Sequence, residues 1–259
     1  MNGTRMNQGE HDAIATAVVI GRAGSRGLPG KNAMPVAGVP MIARSIGHAL
    51  EASRVARVLC STDGDRIAEA AAAAGAEVVR RPAELADDLA TVDSAVRHAV
   101  EAADDHAPIV VILYGNIPVR PAGLVDRAVD ALVGTGADSV QSYAPVGKHH
   151  PYWTCRLGDA GEVSPWEPNT VHRRQDLPPA FIPDGGVIAV TRSSLFRVEP
   201  GRPHAFLGDD RRGIENEAGA VIDVDDEIDL LVAEAIIARQ TGQARQVREA
   251  GPAGQESRS

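Results

Sequence analysis

Between residues 14 and 241 the chain alternates short apolar runs with longer stretches in which apolar side chains recur every three or four positions. ATAVVI (15–20), RVARVLCST (54–62), AEVVRRP (76–82), PIVVILY (108–114), DSVQSYA (138–144), GGVIAVT (185–191) and AVIDV (220–224) read as strands, PIVVILY as a buried one. The intervening stretches read as helices. In 38–53, Ile42, Ile46, Ala49 and Leu50 share a face, and the Ala-rich 65–75 closes on Gly75. Val92, Val96, Ala99 and Val100 mark a third helix, 121–136 opens at Pro121, and 226–240 closes the series. Residues 145–183 break the pattern with prolines, both tryptophans and a His-His pair.

Strands alternating with helices of this length predict βαβ units, hence an α/β fold with a doubly wound, mainly parallel sheet. Ligands of such sheets bind beyond the C-terminal ends of the strands. The first 13 residues and 242–259 are polar and aperiodic and are expected to be disordered tails around one domain, 14–241.

Charge narrows the partners. With 26 Lys and Arg against 35 Asp and Glu, the net charge is −9, which repels nucleic acid and anionic membrane. Two cysteines are too few for a disulfide framework, and Cys60 closes a strand where a buried thiol is expected. No apolar leader core and no stretch of about 18 apolar residues is found, so the expected setting is cytoplasmic.

Against this acidic background, VVIGRAGSRGLPGKN (18–32) places Arg22, Arg26 and Lys31 among glycines directly after the first strand. Glycines let backbone N–H groups converge on an anion, and flanking cations hold a polyphosphate and offset charge on a leaving pyrophosphate. The stretch lacks both the G-x-x-x-x-G-K-[ST] and the G-x-G-x-x-G pattern, which sets aside a Walker loop and a dinucleotide fold. At the far end, Asp223 and Asp225 stand two apart on the strand expected at 220–224, on one face, where they suit a hard cation such as Mg²⁺. Asp226, Glu227 and Asp229 read as first-turn helix residues, and Asp63 as a helix cap. His149 and His150, adjacent in sequence, face apart on an extended chain and make a poor metal pair.

These residues together resemble the cytidylyltransferases that activate sialic acid and related sugar acids as CMP conjugates. That family reads I-P-A-R-G-G-S-K-G-I-P-x-K-N in its first loop, to which VIGRAGSRGLPGKN is similar, with Arg26 in place of Lys. The likeness continues through 59–88, KHHPYWT, RRQDLPPAFIPDGGVIAV and VIDVDDEIDLLVAE, over about residues 15 to 237. It implies a nucleotide-diphospho-sugar transferase-like fold with 145–183 as a small dimerisation arm or substrate lid, and a homodimer. It implies that Arg22, Gly24, Ser25, Arg26 and Lys31 hold the CTP triphosphate, Arg26 as chief electrostatic catalyst, and that Asn32, Arg81 and Thr91 hold cytosine and ribose. Asp223 and Asp225 would ligate Mg²⁺, and the acceptor hydroxyl would attack the α-phosphorus in line.

Tyr114, Asn116, Arg120, Trp153, Arg174, Gln175, Asp184 and Gly185 would wall the acceptor pocket. Here the chain departs from the sialate pattern: Tyr114 stands for Gln, Trp153 for Lys, Ile182 for Arg, Asp184 for Asn and Ala189 for Tyr. The implied acceptor is a sialic acid-like nonulosonate. Kdo or a smaller acid is the alternative, since S-R-x-L-P-G-K also echoes the Kdo-activating branch, and a nucleotide-binding homologue without turnover is a further one.

Overall fold

The computed structural model describes residues 12–24, 27–87 and 89–249, with side chains up to 242. Seven strands form one sheet: β1 (Ala15–Ile20), β2 (Val55–Thr62), β3 (Glu77–Arg80), β4 (Ile109–Tyr114), β5 (Ser139–Pro145), β6 (Phe181–Thr191) and β7 (Arg211–Glu215). Their order is β3-β2-β1-β4-β6-β5-β7. Every pairing is parallel except those of β6, which runs antiparallel between β4 and β5.

The helices α1 (Met41–Leu50), α2 (Asp65–Ala73), α3 (Val92–Ala102) and α4 (Leu124–Thr135) cover the two faces. Strand alternation assigns the sides. Ala15, Ala17 and Val19 pack with Ile42 and Ile46 of α1, Ile67 of α2 and Val125 of α4. Val18 and Ile20 pack with Val96, Ala99 and Val100 of α3. Because β1 and β4 are covered on both sides, they are apolar apart from the buried Thr16 and the terminal Tyr114 and lack the in-out alternation of a half-exposed strand. Cys60 lies fully buried in this core, which pushes its thiol up to about 12.

A third cluster joins Val36, Met41 and Val119 to Val224, Ala233 and Ile237. It fastens α6 (Glu227–Glu249) to the short hairpin of Pro35–Val36 and Val39–Pro40; a brief α5 (Arg192–Leu195) follows β6. No helix among the described residues is long and apolar enough to cross a membrane.

Three expectations are corrected, and one strand is added that the pattern did not predict. AVIDV is not a strand: the segment crosses the sheet ends and keeps one isolated bridge, Val119 to Ile222. The edge place goes instead to the polar Arg211–Glu215, whose outer edge needs no apolar run. The fourth helix starts at Leu124, after left-handed Gly123 (φ 69°), with Pro121 in the preceding turn. Finally, α6 continues to Glu249, past the boundary expected at 241; residues 1–11 and 250–259 of the expected tails lie outside the described residues.

Residues 145–183 form an exposed arm with a small hairpin, Cys155–Leu157 against Val163–Pro165. Leu157 and Val163 are 76% and 68% exposed there, and Arg156 stacks over Trp166 at 4.2 Å. His150 is buried in the base of the arm, its Nε2 against the Pro178 carbonyl at 3.1 Å and its Nδ1 accepting the Tyr152 N–H.

Candidate active site

A cleft of about 460 Å³ opens where β1 and β4 end. Ile20, Gly21 and Tyr114 line its base, and Arg22, Gly27, Lys31, Asn32, Arg81, Thr91, Asn116 and Asp225 its walls. The parallel sheet thus brings together residues up to 200 positions apart, at the strand ends where such sheets bind ligands.

The glycine-rich loop is anchored at both ends. At its start, Asn32 Nδ2 donates to the Arg22 carbonyl at 3.0 Å, and Arg22 itself reaches the Asp87 carbonyl at 3.3 Å. Asn32 is only 4% exposed, and its Oδ1 has no partner among the described residues. At its end, left-handed Gly30 (φ 69°) turns the chain so that Lys31 Nζ meets the Val224 carbonyl at 3.0 Å and ion-pairs with Asp225. Gly27 passes against the Asp225 carbonyl, where a Cβ would collide. Gly24 is exposed, with open space around it. Ser25 and Arg26, the latter expected as chief catalyst, lie outside the described residues.

Across the cleft, Arg81 is held by Ser61, through Nε to Oγ at 3.2 Å and through a terminal nitrogen to the carbonyl oxygen at 2.8 Å. Burial lowers its proton affinity, and the nearby Asp63 charge restores part of it. Thr91 caps α3, its hydroxyl accepting the Ser94 N–H at 3.3 Å, while still lining the cleft.

Asp223 and Asp225 come to the same place from an irregular segment. Asn116 donates to Asp223, and Lys31 pairs with Asp225. Partial desolvation, then the Asp225 charge, pushes the Asp223 carboxyl up to about 6, with Lys31 opposing. Crowded carboxylates with an ammonium already among them are the donor chemistry that a hard cation satisfies. The described residues contain no group of three or more His, Cys, Asp or Glu able to hold a metal ion. Asp226 and Asp229 act as read from sequence: Asp226 accepts the N–H groups of Ile228 and Asp229, and Asp229 accepts those of Asp225 and Asp226.

The residues expected to meet an acceptor divide into three groups. Tyr114 and Asn116 line the cleft. Arg120 and Asp184 are instead engaged in the framework. Arg120 is 4% exposed and donates to the carbonyls of Gly186 (2.7 Å), Tyr114 (2.9 Å) and Ile117 and to Ser45 Oγ (3.0 Å). Asp184 takes the Ser142 hydroxyl at 2.5 Å, the Gly186 N–H at 2.9 Å and Asn216 Nδ2 at 2.8 Å, shaping a bulge in β6. Gly185 (φ 73°) sits in that bulge over Ile117 and Tyr114. Trp153, Arg174 and Gln175 stand on the arm and line no part of the cleft.

Asp63 is a correction. It does not cap α2, whose N-cap position is Gly64; its carboxylate accepts the Ala23 N–H at 2.8 Å. Sequence reasoning also missed Ser61 and Asp87. The polar S-T-D-G turn directly after β2, facing the loop after β1, was the available signal for the first.

Comparisons with known proteins show the family and the fold. Residues 16–157 match the sequence profile of the family described as Cytidylyltransferase. The chain is 30% identical over 234 residues to the CMP-N,N'-diacetyllegionaminic acid synthase of Legionella pneumophila, covering 85% of this chain and 95% of that one. It is 28% identical over 182 residues to an N-acylneuraminate cytidylyltransferase of Streptococcus agalactiae, covering 70% of this chain but 44% of that longer protein. In fold it is similar to CMP:2-keto-3-deoxy-manno-octonic acid synthetase complexed with CTP, with TM-score 0.67 and 19% identity over 87% of this chain and 99% of that one. The 4-diphosphocytidyl-2C-methyl-D-erythritol synthase of Anaerococcus prevotii follows at TM-score 0.59 and 13% identity, over 88% and 100%.

Proposed function

This chain belongs to the cytidylyltransferase family, and we propose that it transfers CMP from CTP to a hydroxyl group of a nonulosonate-class sugar acid, releasing pyrophosphate. The observation that carries the reading is the convergence of Arg22, Lys31, Asn32, Arg81 and Asp225 on one cleft at the C-terminal ends of β1 and β4. The names of the Legionella and Streptococcus relatives support the acceptor class.

In this reading the glycine loop and its cations hold the triphosphate, with Lys31 moving from Asp225 toward phosphate oxygens as nucleotide enters. Asn32 and Arg81, fixed by the loop and by Ser61, hold the nucleoside; the free Asn32 Oδ1 is a ready acceptor for a base or ribose donor. The acceptor oxygen forms its bond to the α-phosphorus as the bond to the β-phosphate oxygen breaks, and Arg22 and Lys31 offset the charge that gathers on pyrophosphate. Asp223 and Asp225 would hold Mg²⁺, which when bound supplies charge neutralisation at the phosphates. Tyr114 and Asn116 border the acceptor's place.

The arm's apolar side chains favour a homodimer, in which a second copy would cover Leu157, Val163 and Trp166. Sedimentation velocity checks this point: a chain that stays monomeric at tens of micromolar refutes it.

The test of function is pyrophosphate release with CTP and Mg²⁺ across sialic, deaminated sialic, legionaminic and pseudaminic acids and Kdo. Release with a nonulosonate, abolished in Asp223→Asn, is the expected result. Release with Kdo alone moves the enzyme to the alternative acceptor. No release with any acid, alongside a CTP-dependent rise in melting temperature, replaces the proposal with a nucleotide-binding role.

A further inference from the structure

The Arg22–Ala23 peptide is gripped from both sides. Its carbonyl accepts Asn32 Nδ2 at 3.0 Å, and its N–H donates to Asp63 Oδ1 at 2.8 Å. A second, independent feature acts at the same point. Gly64 is buried beneath the loop, and a Cβ there would lie 3.0 Å from Ala23 Cβ, tighter than side chains normally pack. The loop thus lies directly on the turn after β2. The same turn holds the opposite wall, because Ser61 bonds Arg81 and the Thr62 carbonyl accepts the Arg81 N–H at 2.9 Å.

We infer that Asp63 is a positioning residue, whose carboxylate fixes the peptide entering the glycine loop and so sets the spacing between the loop cations and Arg81. The inference rests on the proposed reading of the cleft as a triphosphate site. Asp63 touches neither nucleotide nor acceptor in this account. It acts by removing one N–H from the loop's free set and holding the Arg22–Ala23 peptide in one orientation, so that ordering this entry to the loop is not left to the nucleotide.

The experiment compares wild type, Asp63→Asn, Asp63→Ala and Gly64→Ala by hydrogen exchange of loop peptides without ligand, and by calorimetric titration with CTP and Mg²⁺. Asn keeps an acceptor oxygen and Ala does not. The expected result is faster exchange at residues 21–24 in Asp63→Ala and Gly64→Ala and wild-type exchange in Asp63→Asn. CTP affinity should fall about tenfold in Asp63→Ala, recover in Asp63→Asn, and fall less in Gly64→Ala, where neighbours need shift only a few tenths of an ångström. Unchanged exchange in Asp63→Ala overturns the clamp. Faster exchange with unchanged CTP affinity overturns the positioning role while leaving the function intact. Wild type that binds no CTP refutes the triphosphate reading and the nucleotide role of Asp63 with it, and the exchange data then judge the clamp alone.

Discussion

Replacing Arg120 by Met or Lys should unfold this protein more readily before it changes what it binds. The guanidinium is buried and is the shared donor for oxygens on three segments: Tyr114 at the end of β4 with Ile117 just beyond it, Ser45 on α1 and Gly186 in β6. Burial pushes it down to about 9, with Asp223 and Asp184 opposing, so it remains charged at neutral pH. Ser45 cannot substitute for it. Its one hydroxyl proton faces the carbonyls of both Tyr114 and Ile117 at 3.0 Å, and a hydroxyl donates once. Met therefore strands buried acceptors at roughly 1–3 kcal/mol each, partly offset because the cost of burying the charge disappears. A net loss of about 3–5 kcal/mol follows, the range for breaking a buried charged cluster, and the urea midpoint should fall by more than about 1 M. Lys should recover little, since an ammonium cannot reproduce a planar fork that meets four oxygens. Urea unfolding followed by circular dichroism measures this. If both variants keep the wild-type midpoint and only the acceptor KM rises, Arg120 faces substrate and the argument fails.

The same region predicts a pH response. Burial, then the Arg120 charge, lowers His48 from 6.5 to about 4, so between those values the unfolded chain holds the extra proton. Stability from this group is complete above pH 6.5 and is lost as pH falls toward 4, by up to about 3 kcal/mol. A His48→Gln variant should flatten that part of the urea midpoint against pH; an identical slope in both proteins would falsify the assignment. Gly115→Ala should cost about 1–3 kcal/mol by thermal melt, because its Cβ would strike Ile42 and lie 2.9 Å from the Ile20 carbonyl; a neutral result would mean that β4 can shift at its end. Asn32→Asp exchanges the donor to the Arg22 carbonyl for a buried negative charge, so CTP affinity should drop at least tenfold by calorimetry. Affinity equal to wild type would remove Asn32 from the nucleotide wall.

The fold was legible wherever one side of a segment was decided by burial. β1 and β4 are almost wholly apolar and β2 carries its apolar run at Val58–Cys60 because helices cover both faces there, and α1 shows its inner face as Met41, Ile42, Ile46 and Ala49. What escaped had no such pressure. Arg211–Glu215 lies at the sheet edge with polar side chains, so its pairing with β5 is written in backbone hydrogen bonds that any sequence can make. AVIDV failed for the opposite reason. Val224 is buried, but against Val36 and Met41 beneath α6, so its apolar character reports contact with a hairpin and a helix.

The candidate site divides along the same line. The convergence of the glycine loop with its expected neighbours was legible because glycines and cations in one short loop carry their own geometric meaning, and Lys31, Asn32, Arg81 and Asp225 do meet in one cleft. The acceptor side was not, because a charged residue type does not say which way it points. Arg120 and Asp184 were expected to wall the acceptor pocket, yet each is consumed by neighbours that only the folded chain supplies, Ser45 and Gly186 for one, Ser142 and Asn216 for the other. Asp63 erred the other way: its position before a helix suggested a cap, while its partner lies 40 residues upstream. The differences from the sialate pattern at Asp184 therefore need not alter acceptor chemistry. That carboxylate shapes the bulge of β6, whereas of the residues expected to meet an acceptor Tyr114 and Asn116 are the ones that line the cleft.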